Sequence, residues 1–184
     1  MSNITKRAMA QSLKKMLQIK DLDKITITDI TNDCGINRQT FYYHFKDIYD
    51  LLEWIFANEV VERIEKETTI ETWQENFRYV LNYMLKNKKF IIKTYNSLSR
   101  KTLLDFLFNQ YNSIFIEIVE NLSPNYNITK ENKIFIANFY KYGFAGIIEN
   151  WIITEMKESP ENIIKKLDVM ISGSFEEAVK KMSN

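Results

Sequence analysis

Glycine and proline, the residues that most often form turns, are scarce in this sequence. Its 184 residues include four glycines and two prolines. A β-sandwich or β-barrel needs a turn about every 8 to 12 residues, and so few turn formers cannot supply them. The composition therefore predicts an all-α fold of long helices with short connections.

Cysteine and histidine are almost missing as well. Cys34 is the single cysteine and His44 the single histidine, so the chain can form no intramolecular disulfide and suits a reducing compartment. One residue of each type offers no cluster with metal-ligand spacing, and the sequence contains no glycine-rich phosphate loop. We expect no enzyme activity, no metal ion and no cofactor.

Long apolar runs are also missing. No run approaches the length of about 18 residues that suggests a membrane-spanning helix. Residues 1–20 carry lysines throughout and lack the apolar core of a secretory signal. We therefore expect a cytoplasmic protein that does not associate with a membrane.

Aromatic residues are abundant, and charge is unevenly distributed. The chain contains 12 Phe, 10 Tyr and 3 Trp, enough for a sizeable core. Residues 1–46 hold eight basic and four acidic residues, a net charge of +4, whereas the remainder holds 17 basic and 20 acidic residues, a net charge of −3. This asymmetry indicates either a polyanion-facing N-terminal end or a solvated basic surface.

The most informative stretch covers residues 25–52. Thr26 and Asp29 have the spacing of a capping box, which predicts that a short helix over residues 27–33 begins there. Gly35 can adopt the left-handed conformation that ends such a helix.

A second helix is predicted over residues 38–45, with Asn37 as its N-cap. Phe41 and Phe45 lie one turn apart on its apolar face. Two short helices joined by a glycine-containing turn form a helix-turn-helix, and a preceding helix over residues 4–19 completes a small core. The opposite face of the second helix carries Arg38, Gln39, Thr40, Tyr43 and His44.

The remainder of the chain also has helical periodicity. Breaks are predicted at residues 67–71, 123–125 and 159–160. The predicted helices cover residues 48–66, 72–86, 88–97, 100–122, 130–157 and 160–182.

The last two of these helices predict a dimer interface. Residues 134–156 are apolar nearly all round, so we expect one side to face the chain's own core and the other a second subunit. Two such helices from each subunit would form a four-helix interface; an intramolecular bundle is the alternative. The candidate interface residues are Gly143, Gly146, Ile147, Ile164, Leu167, Ile171 and Phe175.

Residues 25–52 closely resemble the DNA-binding signature of the TetR family of transcriptional regulators. The matching positions are Thr26, Asp29, Ile30, Gly35, Ile36, the run 38–45, and Asp50, Leu51 and Leu52. Residues 38–42 and 51–56 resemble in particular the subgroup of the dihydroxyacetone-kinase-operon activator.

The resemblance implies an all-α, Ω-shaped homodimer that binds a near-palindromic operator. Residues 1–47 would form a three-helix DNA-binding domain, and residues 48–184 a larger helical domain for effector binding and dimerisation. An effector there would change the separation of the two DNA-binding domains and so the affinity for DNA. A protein coactivator that docks on the C-terminal domain is the alternative to a small molecule.

The DNA contacts combine residue chemistry with the resemblance. Arg38 can bind phosphate or the O6/N7 edge of guanine, and Gln39 can pair with adenine. Ile48 departs from the family, in which a basic residue is common at this position. The candidate DNA-binding residues are Thr28, Arg38, Gln39, Thr40, Tyr42, Tyr43, His44 and Lys46.

Aromatic residues of the C-terminal domain can line a pocket between helices or simply fill the core. The sequence does not distinguish a repressor from an activator. The candidate effector-pocket residues are Trp73, Phe77, Tyr95, Arg100, Tyr111 and Trp151.

Overall fold

The computed structural model describes residues 2–59, 72–97 and 100–183, and these form α-helices with no strand among them. A short 3-10 helix, Leu22–Lys24, follows the first α-helix. The α-helices are α1 (Ser2–Met16), α2 (Ile27–Cys34), α3 (Arg38–His44), α4 (Ile48–Glu59), α5 (Trp73–Lys86), α6 (Lys88–Tyr95), α7 (Arg100–Leu122), α8 (Lys130–Ile153), α9 (Pro160–Ile171) and α10 (Ser174–Lys181).

The predicted all-α class is confirmed, and most helix boundaries agree with the sequence pattern. The prediction of one helix over residues 160–182 is wrong, because Gly173 has a φ of 71° and separates α9 from α10. The first helix ends at Met16, three residues earlier than predicted. The predicted break at residues 67–71 lies outside the described residues.

The chain divides into two compact units. The first unit contains residues 1–62 and 87–106, and the second contains residues 63–86 and 107–184. The functional division predicted between residues 47 and 48 follows the DNA-binding motif and stays a prediction.

The core of the first unit joins α6 to α1 and α4. Phe56 of α4 packs on Phe90 of α6 with ring centroids 5.4 Å apart. Lys14 of α1 donates a 2.6 Å hydrogen bond to Glu59, and its ammonium lies 5.6 Å from the Phe90 ring centroid. Lys93 donates to the carbonyl of Lys20 at 2.9 Å. Aromatic packing and two lysines therefore hold α6 against α4, α1 and the segment that follows α1.

The second unit is built around aromatic side chains. Phe144 of α8 lies 5.2 Å from Phe77 and 4.9 Å from Phe115 between ring centroids. Tyr140 stacks on Phe175 at 3.6 Å, and its hydroxyl donates to Ser174 at 2.9 Å. As predicted, one side of α8 faces this core.

No described helix combines the length and the apolarity needed to cross a membrane. Within the same residues, no three or more His, Cys, Asp or Glu side chains gather where they could hold a metal ion.

Candidate nucleic-acid interface

A complete capping box fixes the start of α2. The backbone N–H of Thr26 donates to the carboxylate of Asp29 at 2.9 Å, and the N–H of Asp29 donates to the Thr26 hydroxyl oxygen at 3.1 Å. The Thr26 hydroxyl donates to the same carboxylate at 2.9 Å. The backbone bond, followed by the hydroxyl bond, holds the pKa of Asp29 below its ordinary value. The predicted capping box is therefore confirmed.

The turn between α2 and α3 requires a left-handed residue. Gly35 has a φ of 65°, and its N–H donates to the carbonyl of Asn32 at 3.2 Å. The N–H of Ile36 donates to the carbonyl of Thr31 at 3.0 Å. These bonds satisfy the last carbonyls of α2 and set the direction in which α3 begins.

Asn37 caps the start of α3. Its side-chain oxygen accepts hydrogen bonds from the N–H of Thr40 at 2.8 Å and from the Thr40 hydroxyl at 2.9 Å. Because the Thr40 hydroxyl hydrogen is engaged in this cap, a DNA contact in which this hydroxyl donates to a phosphate would require that bond to break. In this arrangement Thr40 supports the helix start.

The two faces of α3 differ sharply in exposure. Phe41 and Phe45 are buried, whereas Arg38 and Gln39 are exposed. Tyr43 is the most open aromatic of the helix, with 82% of its surface exposed. The helix therefore presents hydrogen-bonding side chains to solvent and anchors itself through phenylalanines.

The exposed face contains two side-chain contacts of its own. Arg38 donates through Nη2 to the hydroxyl of Tyr42 at 3.3 Å. The ring of Tyr43 meets the half-buried ring of His44 edge to face at 4.9 Å. Among the described residues, Gln39 has no side-chain hydrogen bond, so its amide is free to bind a base edge.

The start of α4 lies next to this face along the chain. Asp47 accepts from the N–H of Asp50 at 2.9 Å, and the Asp50 carboxylate accepts from the N–H of Lys46 at 2.9 Å. The Lys46 side chain is exposed, and Ile48 is half-buried. Thr28 is exposed near the start of α2.

Lys6 is a basic residue that the motif did not single out. Its ammonium lies 5.5 Å from the ring centroid of Phe45 and 5.9 Å from that of Trp54. Tertiary packing of α1 places this charge beside the end of α3. No spacing in the sequence relates Lys6 to the motif, so only the fold places it beside Phe45 and Trp54.

The predicted effector-pocket residues are divided between the two compact units. Trp73 and Phe77 pack together at 6.2 Å in the core of the second unit, where Trp151 donates from Nε1 to the carbonyl of Glu158 at 2.8 Å. Tyr95 and Arg100 belong to the first unit, with the guanidinium 4.6 Å from the tyrosine ring centroid. The side chain of Tyr111 lies outside the described part of the chain.

The predicted interface residues fall into two groups. Gly143, Gly146 and Ile147 are exposed on α8. The remaining four are buried within the chain, as the alternative of an intramolecular bundle predicts. They are Ile164, Leu167, Ile171 and Phe175.

An open groove of about 500 Å³ runs between α8 and α9. Sequence reasoning missed several of its residues, because their exposure depends on how the two helices pack. The groove is lined by Tyr142, Gly143, Gly146, Ile147, Asn150, Glu158, Ile163, Lys166, Leu167 and Met170.

Comparisons with known proteins agree with this description. Residues 71–173 match the family described as the C-terminal region of TetR-type transcriptional regulators. The HTH-type dhaKLM operon transcriptional activator DhaS of Lactococcus lactis subsp. lactis (strain IL1403) is 27% identical over 154 residues, which cover 83% of this chain and 81% of the relative. A solved structure of the dihydroxyacetone kinase operon activator DhaS shares the fold with a TM-score of 0.71 at 24% identity, over 98% of this chain and 99% of that chain.

Proposed function

This chain belongs to the TetR family of transcriptional regulators, and we propose that it binds a near-palindromic operator as a homodimer and that an effector at its C-terminal domain controls this binding. As a member of that family it is a DNA-binding regulator and not an enzyme. The near-palindromic operator, the homodimer and the control by an effector belong to the proposal.

The exposed face of α3 is the observation that carries the proposal. In a helix-turn-helix, the second helix enters the major groove and its first residues contact base edges. Arg38 and Gln39 are the first two residues of α3, and both are exposed. Their guanidinium and amide groups are the usual partners of guanine and adenine. We assign them base recognition, together with Tyr43.

The surrounding residues supply contacts to the DNA backbone. Lys46 is exposed beyond the end of α3, and Thr28 is exposed on α2. Contacts of this type fix the register of the protein on the duplex but carry no sequence information. Each neutralised phosphate adds to the salt dependence of binding.

Selection from a random duplex library at two salt concentrations tests the operator. The purified chain should enrich a near-palindrome, and the selected sites should lose affinity as salt increases. Gln39→Ala should weaken binding to the enriched site by about 1–3 kcal/mol. Gln11→Ala, at an exposed position on α1, is the matched control and should bind like the wild type.

The proposal would be contradicted if the selection enriched no sequence. It would also be contradicted if Gln39→Ala and Gln11→Ala lost equal affinity for the enriched site. In the first case the chain would bind DNA only without specificity. In the second case α3 would not be the helix that recognises bases.

The α8–α9 groove supports the homodimer. Its apolar walls are open to solvent, and an ideal Cβ added to Gly143 or Gly146 would meet nothing within 4 Å. Glycines on an exposed helix face permit close approach of a second helix. We propose that α8 and α9 of two copies form a four-helix interface centred on this groove.

Control by a coactivator protein is the second candidate, and two observations favour it over direct binding of a small molecule. Three predicted pocket residues, Trp73, Phe77 and Trp151, are buried in packed contacts. In addition, α8 exposes Phe135 and Phe139, and exposed apolar patches often mark protein-binding surfaces.

Dihydroxyacetone is the probe to use, since the relative's name concerns a dihydroxyacetone kinase operon. Direct control predicts that dihydroxyacetone changes the affinity of the purified chain for its selected operator. Control through a coactivator predicts no change with the purified chain, but a response of an operator-linked reporter in cells. No response in either assay would contradict both forms of control by this compound.

A further inference from the structure

Arg38 and Tyr42 lie one helical turn apart on the exposed face of α3. Arg38 Nη2 donates to the Tyr42 hydroxyl oxygen at 3.3 Å. The guanidinium carbon lies 6.0 Å from the centroid of the tyrosine ring, within the range of a cation–π contact. Two interactions therefore connect these side chains before any DNA is bound.

Tyr42 is the better anchored of the two residues. Its ring meets the ring of Phe41 edge to face at 5.8 Å, and Phe41 is completely buried. Arginine, by contrast, has one of the most flexible side chains, and ordering it for recognition costs entropy. A contact with an anchored tyrosine ring restricts the guanidinium before binding and so reduces that cost.

The hydrogen bond leaves the arginine able to bind a base. A guanidinium has five N–H donors, and the tyrosine oxygen accepts one of the two hydrogens on Nη2. The other Nη2 hydrogen and those on Nη1 and Nε are still available for a bidentate contact to guanine O6 and N7. Tyr42 can therefore hold the Arg38 guanidinium without blocking its contact with guanine.

We propose that Tyr42 is a positioning residue, which holds the Arg38 guanidinium in the orientation that recognises a guanine. This inference rests on the proposed operator binding by α3. It differs from a direct phosphate contact by Tyr42, because a positioning role affects discrimination at the base that Arg38 recognises and leaves the other base pairs unchanged.

A double-mutant cycle on operator variants tests the proposal. The operator selected by the wild-type chain is changed one base pair at a time, and the affinities of wild type, Arg38→Ala, Tyr42→Phe and the double variant are measured. The base pair at which Arg38→Ala loses discrimination, by about 5- to 150-fold, identifies the arginine contact. Tyr42→Phe should reduce discrimination at that same base pair by about three- to tenfold.

Coupling between the two residues is the decisive measurement. In the Arg38→Ala background, Tyr42→Phe should change discrimination at that base pair by no more than about twofold. Tyr42→Phe keeps the ring and its contact with Phe41, and circular dichroism checks that the variant is folded. Tyr49→Phe removes the hydroxyl of another exposed tyrosine of the first unit and should leave all affinities unchanged.

Two results would overturn the positioning role while leaving the operator proposal intact. One is an equal loss of affinity for every operator variant in Tyr42→Phe, which would indicate a contact between the hydroxyl and the DNA backbone. The other is unchanged discrimination in Tyr42→Phe. If the wild-type chain itself enriched no operator, the proposed function would fail first and the positioning role with it.

Discussion

Asp29 shows how a single residue of the DNA-binding unit responds to pH. Its folded pKa is lowered, chiefly by the backbone N–H of Thr26, so its ionised form stabilises the folded state. That contribution is present at pH values above the ordinary aspartate pKa of 3.8 and is lost as pH falls through the lower folded pKa. Acid should therefore weaken the start of α2.

We expect Asp29→Asn to lower the midpoint of thermal unfolding at pH 6 more than at about pH 3. The difference from wild type should shrink as the wild-type carboxyl group becomes protonated. Unfolding followed by circular dichroism at a series of pH values measures this trend. Asp23→Asn, at an exposed position of the same unit, is the control, and a pH-independent difference for Asp29→Asn would contradict the prediction.

At the scale of elements, the turn after α8 contains two consecutive residues with left-handed backbone. Glu155 has a φ of 56° and Met156 a φ of 52°. The Met156 N–H donates to the carbonyl of Trp151 at 2.7 Å, and its side chain is buried. Burial of the methionine therefore holds the turn, although neither residue favours this backbone region.

Glu155→Gly should stabilise the chain by about 0.5–1 kcal/mol, because glycine adopts positive φ without the steric cost of a Cβ atom. Glu117→Gly, at an exposed position inside α7, should instead destabilise it by about 1 kcal/mol. Urea unfolding measures both changes. If both substitutions destabilised the chain, the Glu155 side chain would contribute more to stability than its left-handed backbone conformation costs.

Local signals predicted some helix ends but missed others. The caps of α2 and α3 depend on Thr26, Asp29 and Asn37, which act within a few residues along the chain and are visible in the sequence. The end of α9 was missed because Gly173 lies within a continuous apolar pattern, where a single glycine is compatible with a helix. Only the observed φ of 71° decides that the helix stops.

At the scale of the whole molecule, the proposed dimer depends on one face of α8 and α9. Met170 and Val169 are neighbours with 75% and 73% of their surface exposed, but only Met170 lines the groove. We expect Met170→Glu to shift the chain from dimer to monomer, because a buried unpaired carboxylate would weaken the interface.

Sedimentation equilibrium of Met170→Glu beside Val169→Glu measures this effect. Both substitutions place the same charge on the same helix, so only the position relative to the groove differs. Dimers of equal stability in the two variants would locate the subunit interface elsewhere. A monomeric wild-type chain would contradict the dimer itself.

The sequence by itself determined the all-α class, the helix-turn-helix and the family signature. These depend on composition, on apolar periodicity and on caps, which act between residues close together along the chain. The roles proposed for Arg38 and Gln39 follow from the same local pattern. The tertiary structure places both side chains on the exposed face of α3.

Only the tertiary structure decided which apolar residues are buried and which are exposed. Residues 134–156 are apolar nearly all round, yet Phe144 is in the core and Phe139 is 69% exposed. Tertiary packing also joined α6 to α1 and α4 and placed Ile164 inside the chain. Periodicity describes one helix at a time, whereas burial depends on contacts between residues that are distant in sequence, so no local pattern could decide these points.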